Sequence, residues 1–223
     1  MGKFIELKSS DGHKFTAYRA EPSGKPRGGV VVIPEIFGVN SHIQQATDGF
    51  AADGYLAVSP AMFDRVQRNY DTGYSQPEIQ AGVAIMQKLD PKQSMMDVQA
   101  AIAEAGKAGK VGIVGYCYGG TVSWMAAARA SGLACAVPYY GGGMHGLIGE
   151  KPKVPVMCNF GELDQSPTLE QAKQIAAAHP EIVAHFYAGA GHGFNCDQRG
   201  SWNADAAKLA RSRTLEFFRK HLG

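Results

Sequence analysis

The order of elements along the chain predicts an α/β fold: a mainly parallel central sheet with helices on both faces and an antiparallel hairpin at the N-terminus. Three observations carry that expectation. Short runs rich in β-branched residues alternate with stretches of helical periodicity. The inner runs, such as GVVVI over 29–33, are apolar at every position, as strands covered on both faces are. A chain of 223 residues, 45% hydrophobic and 19% charged, is large enough to bury one substantial core, which gives one domain over 1–223 with no repeat or linker.

The elements follow in order. Lys3 to Leu7 and Phe15 to Arg19 read as strands joined by the turn Ser10-Asp11-Gly12, an edge hairpin. The strand at Gly29 to Ile33 is stopped by Pro34, a helix runs from about His42 to Asp53, and Tyr55 to Val58 supplies the next strand. Residues 61–76 are irregular and polar, a candidate loop over an active site. Pro77 to Leu89 and Ser94 to Gly106 read as helices, with Pro77 where proline is tolerated at a helix start. Val111 to Val114 and Cys135 to Tyr139 are buried strands flanking a small-residue helix, Gly119 to Ala130. Val154 to Phe160 and Ile182 to Tyr187 complete the sheet around an alanine-rich helix, Thr168 to Ala178. Ala204 to His221 closes the chain with an apolar stripe predicted at Ala207, Leu209 or Ala210, Leu215 and Phe218.

Charge narrows the partner. The 22 basic and 20 acidic residues, net +2, are spread along the chain with no block to draw it to nucleic acid or anionic lipid. The N-terminus lacks the apolar run of a signal peptide and no stretch approaches about 18 apolar residues, so a cytoplasmic location is expected. The cysteines at 117, 135, 158 and 196 have no short paired spacing, which argues against a zinc site or a dithiol redox pair. The expected partner is a small molecule, handled without metal or cofactor by a monomer or small homo-oligomer.

The segment that carries chemistry is Gly115-Tyr116-Cys117-Tyr118-Gly119-Gly120, between a strand and a helix. A sharp strand-to-helix turn needs small residues two before and two after the nucleophile, and Gly115 and Gly119 supply them. Such a turn sets Cys117 at a helix mouth, where the Tyr118 N–H can meet a developing oxyanion. Taken alone, a glycine-flanked cysteine is more often a small buried hydrophobe. Chain order adds weight: an acid loop, Phe160-Gly161-Glu162-Leu163-Asp164-Gln165, and a glycine-rich loop holding His192 follow later strands, the nucleophile–acid–base order of α/β-hydrolases. Asp164 is the candidate acid and Glu162, two residues before it, is the rival. His192 is the candidate base; His13, His179, His185 and His221 read as surface or structural.

These segments, together with Ser10-Asp11-Gly12, Pro34-Glu35-Ile36-Phe37-Gly38-Val39-Asn40, Tyr139-Tyr140-Gly141 and Gly191-His192-Gly193-Phe194, resemble the dienelactone hydrolases (carboxymethylenebutenolidases) over almost the whole chain. The resemblance implies an α/β-hydrolase fold and a triad of Cys117, Asp164 and His192, favouring Asp164 over Glu162. It implies that Glu35 holds the resting thiol and that the Ile36 N–H joins that of Tyr118 in the oxyanion hole. Phe37, Tyr139 and Phe194 become candidate substrate contacts. Members that act on dienelactone bind its carboxylate with arginines, one of them four residues after the histidine. Cys196 stands there in this chain, and Arg199, Arg65 and Arg68 are the arginines left as candidates.

The expected activity is hydrolysis of a small lactone or ester through a thioester. The alternatives are a broader carboxylesterase or thioesterase with the same triad, a noncatalytic ligand-binding scaffold, and a peroxide sensor using Cys117, which would want a resolving cysteine.

Overall fold

The computed structural model describes residues 1–223 and opens with two antiparallel strands, β1 (Lys3–Lys8) and β2 (Lys14–Ala20). β2 runs antiparallel to β4 (Leu56–Pro60). From there every pairing is parallel, through β3 (Gly29–Ile33), β5 (Val111–Tyr116), β6 (Leu133–Tyr139), β7 (Met157–Gly161) and β8 (Val183–Tyr187). The order across the sheet is β1-β2-β4-β3-β5-β6-β7-β8. Six helices connect or follow these strands: α1 (Ser41–Ala52), α2 (Gln76–Met86), α3 (Pro91–Ala105), α4 (Tyr118–Arg129), α5 (Leu169–Ala178) and α6 (Ala204–Leu222). This is the α/β-hydrolase fold that the sequence predicts.

The inner strands are apolar throughout because alternate residues feed two cores. Val31 and Ile33 of β3, with Ile113 of β5, pack under α3, α4 and α5 against Val98, Ile102, Trp124 and Ile175. Val30, Val32 and Val114 face the other way and pack under α1 and α6 against Ile43, Phe50, Ala210 and Phe218. No helix is long and apolar enough to cross a membrane.

Three expectations need correction. The helix read from Ser94 begins at Pro91, because Asp90 caps it by accepting from the Lys92 and Gln93 amides and proline occupies the first turn. The buried stripe of α6 is Ala206, Ala210, Thr214, Phe218 and Leu222, while Leu209 is 47% exposed. The predicted stripe skips Thr214, whose hydroxyl is satisfied by the Ala210 carbonyl at 2.9 Å and by Tyr139 Oη at 2.6 Å, so a threonine fills a core position. Residues 61–76 do not form the wall of the cleft. They fold against the segment after β3, where the Thr72 N–H donates to the Phe37 carbonyl and Tyr74 packs edge-on to Phe37, and the wall is made by α2 instead.

Candidate active site

The strand-to-helix turn is built by close backbone contact. A Cβ on Gly115 would stand 2.0 Å from the Gly119 carbonyl oxygen, and one on Gly119 would stand 2.3 Å from that of Ile33. Neither neighbour is a side chain that could rotate away, so glycine is required at both positions. The turn holds Cys117 at φ 56°, a left-handed conformation that a non-glycine residue adopts only when its surroundings enforce it. Its own N–H is tied to the Tyr139 carbonyl at 3.1 Å, which anchors the Cys117 backbone at the head of α4.

The acid and base loops are stitched together after β7 and β8. The Leu163 N–H donates to the Ala190 carbonyl at 2.9 Å and the Glu162 N–H to that of Tyr187 at 3.1 Å. These bonds leave Glu162 exposed and turn Asp164 inward, 3% exposed. Asp164 meets His192 Nδ1 with both carboxylate oxygens, at 3.1 and 3.0 Å, and accepts the Ser166 N–H at 2.8 Å. Of the two carboxylates, Asp164 is the one in contact with the imidazole. Phe194, fully buried against Tyr139, Tyr140 and Tyr187, braces the histidine loop from behind, and Tyr140 packs edge-on to the imidazole.

Burial works against a cation on His192, yet its pKa is raised from the ordinary 6.5 to about 10, because a negative charge on Cys117 and the Asp164 hydrogen bond outweigh the desolvation. The raised pKa contributes stability that is fully present below pH 6.5 and is lost as pH rises through about 10. Asp164→Asn removes one source of that shift. The stability difference between wild type and Asp164→Asn, followed by thermal unfolding, is therefore expected to shrink as pH rises from 6.5 to 10. A difference that is constant over that window would contradict the assignment.

Cys117, Asp164 and His192 open together on a cleft of about 410 Å³, with Ile36 and Tyr118 on its rim. The first N–H groups of a helix have no partner within it, so the Tyr118 amide is free for an incoming oxygen. Phe37, with Ile79, Val83 and Met86 of the α2 side, makes the wall apolar, and Arg199 is the one charged side chain outside the three. Arg199 is 16% exposed, donates to Glu35 Oε1 at 2.9 Å and lies over the rings of Phe37 and Tyr74 at 5.6 and 5.7 Å. Glu35 is therefore engaged by Arg199 in this structure, not by the Cys117 thiol.

Four expected substrate contacts lie off the cleft. Arg65 is held by Asp97 and Asp11, and Arg68 donates to the Lys14 carbonyl, so both guanidinium groups secure the N-terminal hairpin. Tyr139 is buried with its hydroxyl on Thr214, and Phe194 is buried behind His192. The sequence does not mark α2 as a wall of the cleft. Its spaced apolar residues Ile79, Val83 and Met86 suit an ordinary core face equally well.

Comparison with known proteins places the chain in a family. Residues 15–222 match the model of the dienelactone hydrolase family. A carboxymethylenebutenolidase of Pseudomonas putida is 33% identical over 96% of this chain and 94% of its own. Among solved structures, one from Klebsiella pneumoniae named "Putative Dienelactone Hydrolase" superposes with a TM-score of 0.83 at 25% identity over 98% of this chain and 99% of that one. A dienelactone hydrolase-like promiscuous phosphotriesterase from metagenomic libraries, 20% identical, shares the fold with a TM-score of 0.80 over 100% of this chain and 99% of that one.

Proposed function

The chain belongs to the dienelactone hydrolase family and is a hydrolase of carboxylic ester bonds; from that premise we propose that it opens a small lactone or ester by a Cys117–His192–Asp164 triad through a thioester. The observation that carries the reading is the bidentate approach of Asp164 to His192 Nδ1 beside a strained Cys117 on one cleft.

The Cys117 thiolate adds to the ester carbonyl, and the oxyanion that forms is met by the N–H groups of Ile36 and Tyr118. His192, charged by the thiol proton, gives that proton to the leaving oxygen as the C–O bond breaks, and the acyl group stays on sulfur. Water then attacks the thioester with His192 as base, releasing the acid and restoring the thiol. Asp164 fixes the histidine tautomer and balances its charge throughout.

Arg199 gives the cleft its substrate preference in this reading. A carboxylate on the substrate would share the guanidinium with Glu35, whereas the apolar wall of Phe37, Ile79, Val83 and Met86 takes the hydrocarbon part. That same wall also favours the second reading, a carboxylesterase for neutral acyl esters. Turnover of dienelactone beside a neutral aryl ester separates the two. The expected result is that Arg199→Gln raises KM for dienelactone by about tenfold, the loss of one charged hydrogen bond, with little change for the neutral ester. Equal effects on both substrates would favour the second reading.

A further inference from the structure

Behind Arg199, three groups from distant parts of the chain converge. Glu35 follows β3, His42 lies in the first turn of α1, and Cys196 sits in the loop that carries His192. One donor atom of each lies within 4.8 Å of the others, and the three residues are 1%, 6% and 0% exposed. Glu35 Oε2 and His42 Nε2 are both buried without a hydrogen-bond partner. Buried polar atoms are nearly always paired, so two orphans in one cluster call for a shared partner.

The remaining atoms of these residues are already committed. Glu35 Oε1 accepts from Arg199, and His42 Nδ1 faces Asp197 Oδ1 at 3.3 Å, the carboxylate–histidine arrangement that leaves Nε2 as a lone pair for a metal. We propose that Glu35 Oε2, His42 Nε2 and Cys196 Sγ form a binding site for a divalent cation of the zinc class, distinct from the triad. Carboxylate, imidazole and thiolate are donors that such a cation accepts together, with a fourth position open. Glu35, the Cys196 thiolate and Asp197 together offset the charges of the cation and of Arg199, which is what makes a charged group tolerable in a buried place.

Binding is written as M²⁺ + Cys196–SH → Cys196–S–M⁺ + H⁺, the thiol proton leaving to solvent while Glu35 and His42 ligate without losing one. A second cavity of about 380 Å³ between α1 and α6 is lined by His42, Asp197 and Tyr116 and so borders the cluster on the His42 side. The bound cation would tie the loop after β3, α1 and the histidine loop to one another. Sequence spacing could not show the site, because its ligands come from widely separated segments.

The test uses the full chain carrying Cys117→Ser, so that the triad thiol cannot ligate. Zn²⁺ is titrated against a chromophoric chelator, and Co²⁺ is then substituted and its thiolate-to-metal absorption read. One equivalent with that absorption is expected. Cys196→Ser is expected to abolish the absorption, and Cys196→Ser and His42→Gln each to weaken binding by at least about tenfold. Both are made in the same background and checked by circular dichroism. Absence of stoichiometric binding, or affinity and absorption unchanged by both substitutions, would overturn the site.

Discussion

Asp164→Asn is expected to lower kcat by about 10⁴-fold, while Glu162→Gln changes it by no more than about twofold. The two carboxylates are two residues apart in one loop, but the loop presents them to different surroundings. Asp164 is buried against His192 Nδ1 and Glu162 is exposed. Asparagine keeps the size of the side chain and can offer a donor where an acceptor is needed, which sets the wrong tautomer on the imidazole. The cation on His192 then loses one of the groups that hold its pKa near 10. Steady-state kinetics of both variants on one ester provide the measurement, and comparable losses would remove Asp164 from its assigned role.

Much of this site is legible in the chain because its requirements are local. The glycines around Cys117 are dictated by backbone atoms that leave no room for a Cβ, and the loops holding Asp164 and His192 follow directly from strands. The inner strands are legible for a related reason, since residues buried on both faces leave uninterrupted apolar runs. What the sequence conceals depends on partners far away in the chain. Arg65 and Arg68 are as suitable in type as Arg199 for meeting an anion. Only the fold assigns Arg65 to Asp97 and Asp11, Arg68 to a backbone carbonyl, and Arg199 to the cleft. Thr214 looks polar by type and is core by its hydrogen bonds, which displaced the predicted stripe of α6. The pairing of Glu35 with Arg199 joins residues that no spacing rule connects.

The largest effect is expected at Cys117. If its sulfur forms the bond to the acyl group, no other side chain on the cleft can replace it: Thr121 and Ser166 also border the cleft, but neither sits at the strained turn facing the histidine. Cys117→Ala removes the nucleophile and leaves the oxyanion donors, His192 and the apolar wall in place, so binding should survive while the chemical step does not. The loss in kcat is expected to be roughly 10⁶-fold, the scale seen when a nucleophile is removed from an otherwise intact triad. The turn itself should persist, because alanine keeps the backbone bond to Tyr139 and the flanking glycines are untouched. The decisive measurement is the rate of aryl-ester hydrolysis by Cys117→Ala beside wild type, with the folding of both verified. The triad account predicts a fall of that size, to the residual rate the oxyanion donors and the apolar wall sustain without a nucleophile, and a folded Cys117→Ala enzyme that retains wild-type turnover would contradict it.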